Sequence, residues 1–344
     1  MTRFVIATLG MVSALALALA FGGLWAGLAL AYITVVTFLL DRIAAIAAPD
    51  HPEREFPVGD GLSVILGLVH FPLLFYGVCV VAGSTTHGTL ERILIFFALS
   101  LFFGQVSNSN AHELIHRSNR WLRRLGVVVY CSLLFGHHVS AHVRVHHIHA
   151  ATPRDPNSAP LGRNYYVFAL RAWIGSFREG LRAESALLAR SARQRLHPYV
   201  VYAFGAALSL LLAGALAGLA GVAALIGMAL YAQAQLLLSD YVQHYGLRRQ
   251  EIAPGKWEPV GPRHSWNAPQ GFSAALMLNA PRHSDHHAHP ARPYPGLDID
   301  REAMPILPHA LPVMAVIALF PPLWRRLMDR RARIWARPDA KALE

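Results

Sequence analysis

Nine of the chain's 19 histidines fall into short, regularly spaced clusters. The first reads His112-Glu-Leu-Ile-His116, the second His142-Val-Arg-Val-His146-His147 and the last His283-Ser-Asp-His286-His287. Between the last two, a single histidine closes Asp240-Tyr-Val-Gln-His244. Neutral imidazole is the commonest metal-ligating side chain. Spacings of three and four residues put such rings on one face of a helix. One His-x3-His pair is often no more than two polar residues at a helix end. Nine imidazoles in four clusters are too many for one ion and point to two. Structural zinc fills a shell of four ligands, usually including Cys. Nine imidazoles split four and five leave open positions, which suits redox iron and dioxygen, although imidazole also binds zinc, copper and nickel.

Acids within or near the clusters have a separate use. A carboxylate bonded to the second ring nitrogen of a ligand fixes its tautomer and raises its basicity. Glu113 and Asp285 are read in that role, followed by Asp240 and Asp155; the plain alternative for each is a surface charge. His137, His138, His149, His264 and His289 lie near the clusters and are read as non-ligands, because nine already serve two ions.

These groups need elements to position them, and composition says what kind. Of 344 residues, 54% are hydrophobic and 15% charged, against roughly 25% charged in a soluble domain. Apolar stretches of about 20 residues recur, each long enough to cross a bilayer. The fold class expected is therefore an all-α integral membrane protein in a single domain. Six spans are read, at about 4–21, 24–40, 62–82, 90–111, 199–219 and 222–242. No cleavable signal separates the first two. A polar loop covers Asp41 to Asp60. Leu125 to Phe135 is too short to span and reads as interfacial or re-entrant. Asn164 to His197 is a basic amphipathic connector. Met304 to Trp324, broken by five prolines, reads as packing against the domain or the interface.

The net charge of +11 does not suggest nucleic acid in such a chain. Turns near Gly22, Thr85 and Gly218 carry almost no Lys or Arg, and every basic cluster lies on the other side. Basic loops stay cytoplasmic, so both termini and all nine clustered histidines are expected on the cytoplasmic face of an inner membrane. Cys79 and Cys131 lie in apolar stretches, which excludes a disulfide framework and a built-in iron–sulfur module. No glycine motif for a dinucleotide opens a helix. Reducing equivalents must come from outside, and Arg123, Arg124, Arg248 and Arg249 on the basic face are candidates for receiving a separate donor.

Taken together, His-Glu-Leu-Ile-His-Arg, the second cluster with Ala151-Thr-Pro-Arg-Asp-Pro156, His244-Tyr-Gly-Leu, His264-Ser-Trp-Asn267 and Arg282-His-Ser-Asp-His-His-Ala-His-Pro290 resemble the membrane alkane monooxygenases. These sit within the integral-membrane fatty acid desaturase and hydroxylase superfamily. The resemblance runs in order from the second span to Trp324. It implies two non-haem iron ions with all-histidine ligands, dioxygen as oxidant and terminal hydroxylation of medium-chain alkanes drawn from the bilayer. It also implies rubredoxin and its reductase as electron donors. Ala141 stands where these enzymes usually have Glu, Asp240 and Gln243 replace Asn and Glu, and Ala280-Pro281 replaces Leu-Gln. Ser140-Ala-His-Val is closer to the xylene methyl-group monooxygenases. Methyl hydroxylation of alkylaromatics, or desaturation or hydroxylation of fatty acyl chains, is therefore the alternative; a transporter or a zinc hydrolase is a more distant one. An alkane offers no polar handle, so an apolar channel must select it, with Ile33, Thr34 and Phe38 as wall candidates.

Overall fold

The computed structural model describes residues 1–43, 59–192, 194–269 and 271–336. The polar loop expected between Asp41 and Asp60 lies mostly outside them. Among the described residues the only strands are a short antiparallel pair, Glu251–Ala253 with Lys256–Trp257.

Five helices there are long and apolar enough to cross a membrane: Thr2–Phe21, Gly23–Leu40, Asp60–Ala82, Thr89–Ile115 and Pro198–His244. The last runs 47 residues but is a hairpin, since Ala217 and Gly218 leave helical backbone and Gly218 takes φ 60°. Val222 returns to lie against Gly214, and a methyl group on Gly221 would strike the Ala213 carbonyl. A straight helix would hold Gly214 and Val222 about 12 Å apart. The hairpin therefore supplies two apolar arms, and the chain is an all-α, multi-pass membrane protein. Gly22 turns the first arm into the second with φ 59°, a left-handed conformation that glycine adopts without steric cost.

Among the described residues, three helices contain one widened π turn, at Tyr32–Val36, Phe103–Ser107 and His142–His146. Such turns rotate the residues that follow and are frequent at functional sites. The Phe103–Ser107 turn lets the fourth apolar helix run on to Ile115, so it carries the first histidine cluster. His70, buried in the Asp60–Ala82 helix, ties this turn to the cap. Its Nδ1 lies 3.0 Å from Ser107 Oγ and its Nε2 2.8 Å from Ser132 Oγ. An ionisable group at this depth needs such partners.

Shorter helices form the cap over the histidine end. Arg120–Ser132 is 13 residues long, about 20 Å, and does not reach across a hydrocarbon core of about 30 Å. The connector contains the amphipathic helix Tyr165–Ala189. Leu311–Ala318 is too short to span and buries Leu311, Met314 and Ala318. The Pro321–Trp335 helix follows, with Trp324 packed on Tyr241 and Tyr245. Asp41, at the end of the second arm, accepts hydrogen bonds from the backbone N–H groups of Phe272 and Ser273 at 3.1 and 2.9 Å. That contact fastens the cap helix Gly271–Leu276 to the membrane arms.

Candidate metal centre

Each histidine cluster owes its placement to a different element. His112 and His116 end the Thr89–Ile115 helix, and His244 ends the hairpin. The second cluster occupies the π turn, and the last sits on the helix His283–Ala288. That last helix is held by Asn267. Its Oδ1 accepts from the Ser284 backbone N–H at 2.9 Å, and its Nδ2 donates to Ser284 Oγ at 2.7 Å. Trp266 Nε1 donates to the Tyr245 carbonyl at 2.9 Å, which anchors the same loop to the end of the hairpin. The His-Ser-Trp-Asn block is therefore a clamp between two histidine-bearing elements.

The fold gathers all nine histidines into two groups. His112, His116, His142, His147 and His286 form one; His146, His244, His283 and His287 form the other. Within each group the nearest ring nitrogens lie within 4.8 Å of one another. Helical spacing alone suggests that His142 and His146 share a face, yet they fall in different groups. The π turn widens the helix so that His142 pairs with His147, five residues on. His286 likewise leaves its neighbours His283 and His287 and joins the group of five.

The ring geometry fits metal ions. Nε2 of His142 lies 2.7 Å from that of His112 and 2.9 Å from that of His147, which is 3.2 Å from that of His286. In the other group, His283 Nε2 lies 3.0 Å from His244 Nε2 and 3.1 Å from His287 Nε2. Adjacent imidazoles around an ion, at metal–nitrogen bonds of about 2.1 Å, stand about 3 Å apart. His116 Nε2 and His146 Nε2 are buried with no protein partner. Burial, reinforced by neighbouring imidazoles, holds His142, His147, His283, His286 and His287 well below the usual histidine range. They are thus kept in the neutral, metal-ligating form. His146 is the exception. Burial pulls it down, but the buried Asp155 carboxylate, 2.9 Å from Nδ1, outweighs this and raises it.

Of the four acids expected beside the rings, Asp155 alone makes such a bond among the described residues. Its Oδ2 accepts from His146 Nδ1 and from Ser158 Oγ at 2.6 Å. Glu113 instead pairs with Arg117 at 2.6 Å and caps the Tyr294 N–H. Asp240 accepts from Asn157 Nδ2 at 2.6 Å. Asp285 turns away from both histidine groups, toward His289 at 2.8 Å and Arg292 at 2.7 Å, and accepts from the Asp298 N–H. Position within a histidine block did not mark its role, because its side chain leaves the helix on the other face. His289 and His264 stay outside both groups, bonded to Asp285 and Glu258. His137, His138 and His149 also lie outside them.

A mostly apolar cavity of about 350 Å³ opens from both groups, reaching His112 and His142 in one and His283 in the other. Ile33, Thr34 and Phe38 lie on its wall. His138, expected near the clusters as a non-ligand, also lines it, and so do Tyr130, Leu311 and Val316, which the sequence did not single out. No local pattern marks them as cavity residues, because three separate helices bring them there.

The Fatty acid desaturase family matches residues 89–318 of the chain. Alkane 1-monooxygenase 2 of Pseudomonas aeruginosa is 30% identical over 316 residues, covering 88% of this chain and 84% of that protein. Alkane 1-monooxygenase 1 of Alcanivorax borkumensis is 30% identical over 336 residues, covering 93% and 81%. The xylene/toluene monooxygenase hydroxylase component of Pseudomonas putida is 29% identical over 237 residues, covering 65% and 60%. The family match takes in every histidine cluster. The chain belongs to the fatty acid desaturase family and, within it, is a membrane monooxygenase of the alkane 1-monooxygenase kind.

Proposed function

We propose that this protein hydroxylates the terminal methyl group of medium-chain n-alkanes, using two non-haem iron ions. The group of five histidines would hold one ion and the group of four the other. The observation that carries the reading is the apolar cavity that ends on both groups. Bound iron would supply dioxygen activation and the oxidising power to attack an unactivated C–H bond. The protein's own part is binding, orientation and exclusion of water. The cavity wall holds the alkyl chain by apolar contact alone, so its methyl end meets the histidines end-on. Asp155 keeps the proton on His146 Nδ1 and so leaves Nε2 free as a ligand. One methylene more or less in such a cavity changes binding by only about 1–3 kcal/mol, so chain-length selection is broad.

Incubation with octane, dodecane, p-xylene, an electron-donor system and labelled dioxygen tests this reading. Labelled 1-alkanol is the expected product. Unsaturated product without label would make the protein a desaturase. Labelled benzylic alcohol as the main product would favour the second reading, methyl hydroxylation of alkylaromatics. Ala141 and the similarity to the xylene/toluene component support that alternative.

The whole chain is read as one desaturase/hydroxylase-like domain of an inner membrane, with both termini and the histidine cap facing the cytoplasm. Electrons would come from a rubredoxin-type protein and its reductase. Of the expected docking arginines, Arg123 and Arg124 are exposed, whereas Arg248 and Arg249 spend their guanidinium groups on backbone carbonyls of Ser158 and Ile148. Arg144 suits the role better. It stands on the π turn between His142 and His146, and its side chain is 47% exposed. Beside it, Arg154 and Arg182 line a surface cleft with Glu179. Arg144→Glu should raise the donor concentration needed for half-maximal rate several-fold while leaving the maximal rate within about twofold. Added salt should slow the wild type at limiting donor, as exposed charges are screened over about 8–10 Å. Rates indifferent to both changes would remove docking from this face.

A further inference from the structure

The cavity that would hold an alkane also carries an amide pair that an alkane cannot use. Gln105 stands on the Phe103–Ser107 π turn and Gln235 on the returning arm of the hairpin, and both line the cavity. Their amides face each other, with Gln105 Nε2 3.4 Å from Gln235 Oε1, a long and weak contact. The remaining amide atoms, Gln105 Oε1 and Gln235 Nε2, are closed off from the surface and have no protein partner. One turn nearer the histidines, Asn108 donates to the Ala232 carbonyl at 3.0 Å and leaves its own Oδ1 without a partner.

The local backbone accommodates this pair. A methyl group on Gly104 would come within 2.8 Å of Gln235 Cδ, so the glycine makes room for that amide. The π turn directs Gln105 and Asn108 toward the same space. Buried amide atoms without partners are unfavourable, and in a site for pure hydrocarbon they would only weaken binding. A ligand group that both donates and accepts would satisfy them. Flipping both amides together keeps the contact and again leaves one donor and one acceptor at the pair. No Lys or Arg lines the cavity among the described residues, whereas Asp41 and Asp240 do. A carboxylate is therefore disfavoured, and the group must be neutral.

We propose that Gln105 and Gln235 form a hydroxyl-binding belt, and that the enzyme takes neutral primary alcohols and hydroxylates their far methyl group to give α,ω-diols. This rests on the hydroxylation reading above. Gln105 precedes His112 by seven residues, about 10 Å along the helix. An extended chain advances roughly 1.2 Å per bond, so alcohols of about eight or nine carbons place the hydroxyl at the belt and the methyl at the histidines. The step balances as one alcohol, one dioxygen, two electrons and two protons giving one diol and one water. A terminal C–H bond is broken, a C–O bond forms and the second oxygen leaves as water. The electrons come from the external one-electron donor.

The test uses the full chain in lipid nanodiscs, with Gln105→Met and Gln235→Met as separate variants of similar side-chain length. Binding of labelled 1-octanol is measured first, with and without added iron. Wild type should release the label to unlabelled 1-octanol at least tenfold more readily than to octane, and each variant should bind it at least tenfold more weakly. In turnover, the ratio of kcat/KM for 1-octanol to that for octane should fall at least tenfold in each variant, with 1,8-octanediol as the wild-type product. Equal binding of 1-octanol by wild type and variants, or equal loss for both substrates, overturns the belt. If wild type hydroxylates neither compound, the hydroxylation reading fails, while the binding comparison still decides whether the belt exists.

Discussion

His244→Ala combined with His283→Ala should leave about one iron per chain, and so should His112→Ala combined with His116→Ala and His142→Ala. Each set strips one group to two imidazoles and leaves the other whole, and two imidazoles are too few to retain an ion of this class against buffer and chelator. Turnover should fall in both variants by on the order of 10³-fold or more, and combining the two sets should cost little further. Groups that act as a unit show this non-additivity. Metal analysis of purified protein, alongside labelled-product assays, checks both parts. Retention of two ions in either variant, or loss of both, would show that the histidines are partitioned differently. Active wild-type protein with stoichiometric zinc and no iron would sink the iron reading itself.

Asp155→Ala should weaken metal retention by about 10- to 100-fold, the usual effect of removing a carboxylate behind a ligating histidine. The carboxylate is buried, holds His146 Nδ1 at 2.9 Å and is itself fixed by Ser158 Oγ and the Asn157 N–H. Asp155→Asn keeps the shape and an acceptor oxygen but loses the charge, so it should fall between wild type and Asp155→Ala. Asp285→Asn is the informative control. Its carboxylate faces His289 and Arg292, so it should lower thermal stability while changing chelator-stripping rates by no more than about twofold. Equal effects of the two Asn variants on stripping would remove the special role given to Asp155.

How much of this was legible in the chain varies with the range of the interaction involved. Apolar stretches of spanning length are a local property, and the two glycine turns at Gly22 and Gly218 are local too. The cap is less legible. The helices Arg120–Ser132 and Tyr165–Ala189 show as amphipathic segments, but nothing in either marks the other as a neighbour. Among the acids, proximity in sequence favoured Glu113 and Asp285. The ring partner is Asp155, nine residues from His146 and brought back by the tight loop through Ser158. Arg248 and Arg249 looked like free surface charge, whereas their carbonyl partners lie about a hundred residues away or are hidden in that same loop.

The sequence by itself determined that this is an all-helical membrane protein with nine histidines clustered at metal-ligating spacing, because hydropathy over a span and ligand spacing within a turn are both short-range. The tertiary structure decided how those histidines divide. A single π turn sends His142 and His146 to opposite groups, and helix packing across more than a hundred residues joins His286 to His147. It also decided the cavity. Gln105 and Gln235 are ordinary polar residues in two apolar helices until packing turns them toward each other, and Gly104 becomes necessary only because Gln235 arrives from a distant arm. Spacing along one helix is set by backbone geometry alone, whereas which faces meet is set by the packing of many side chains at once.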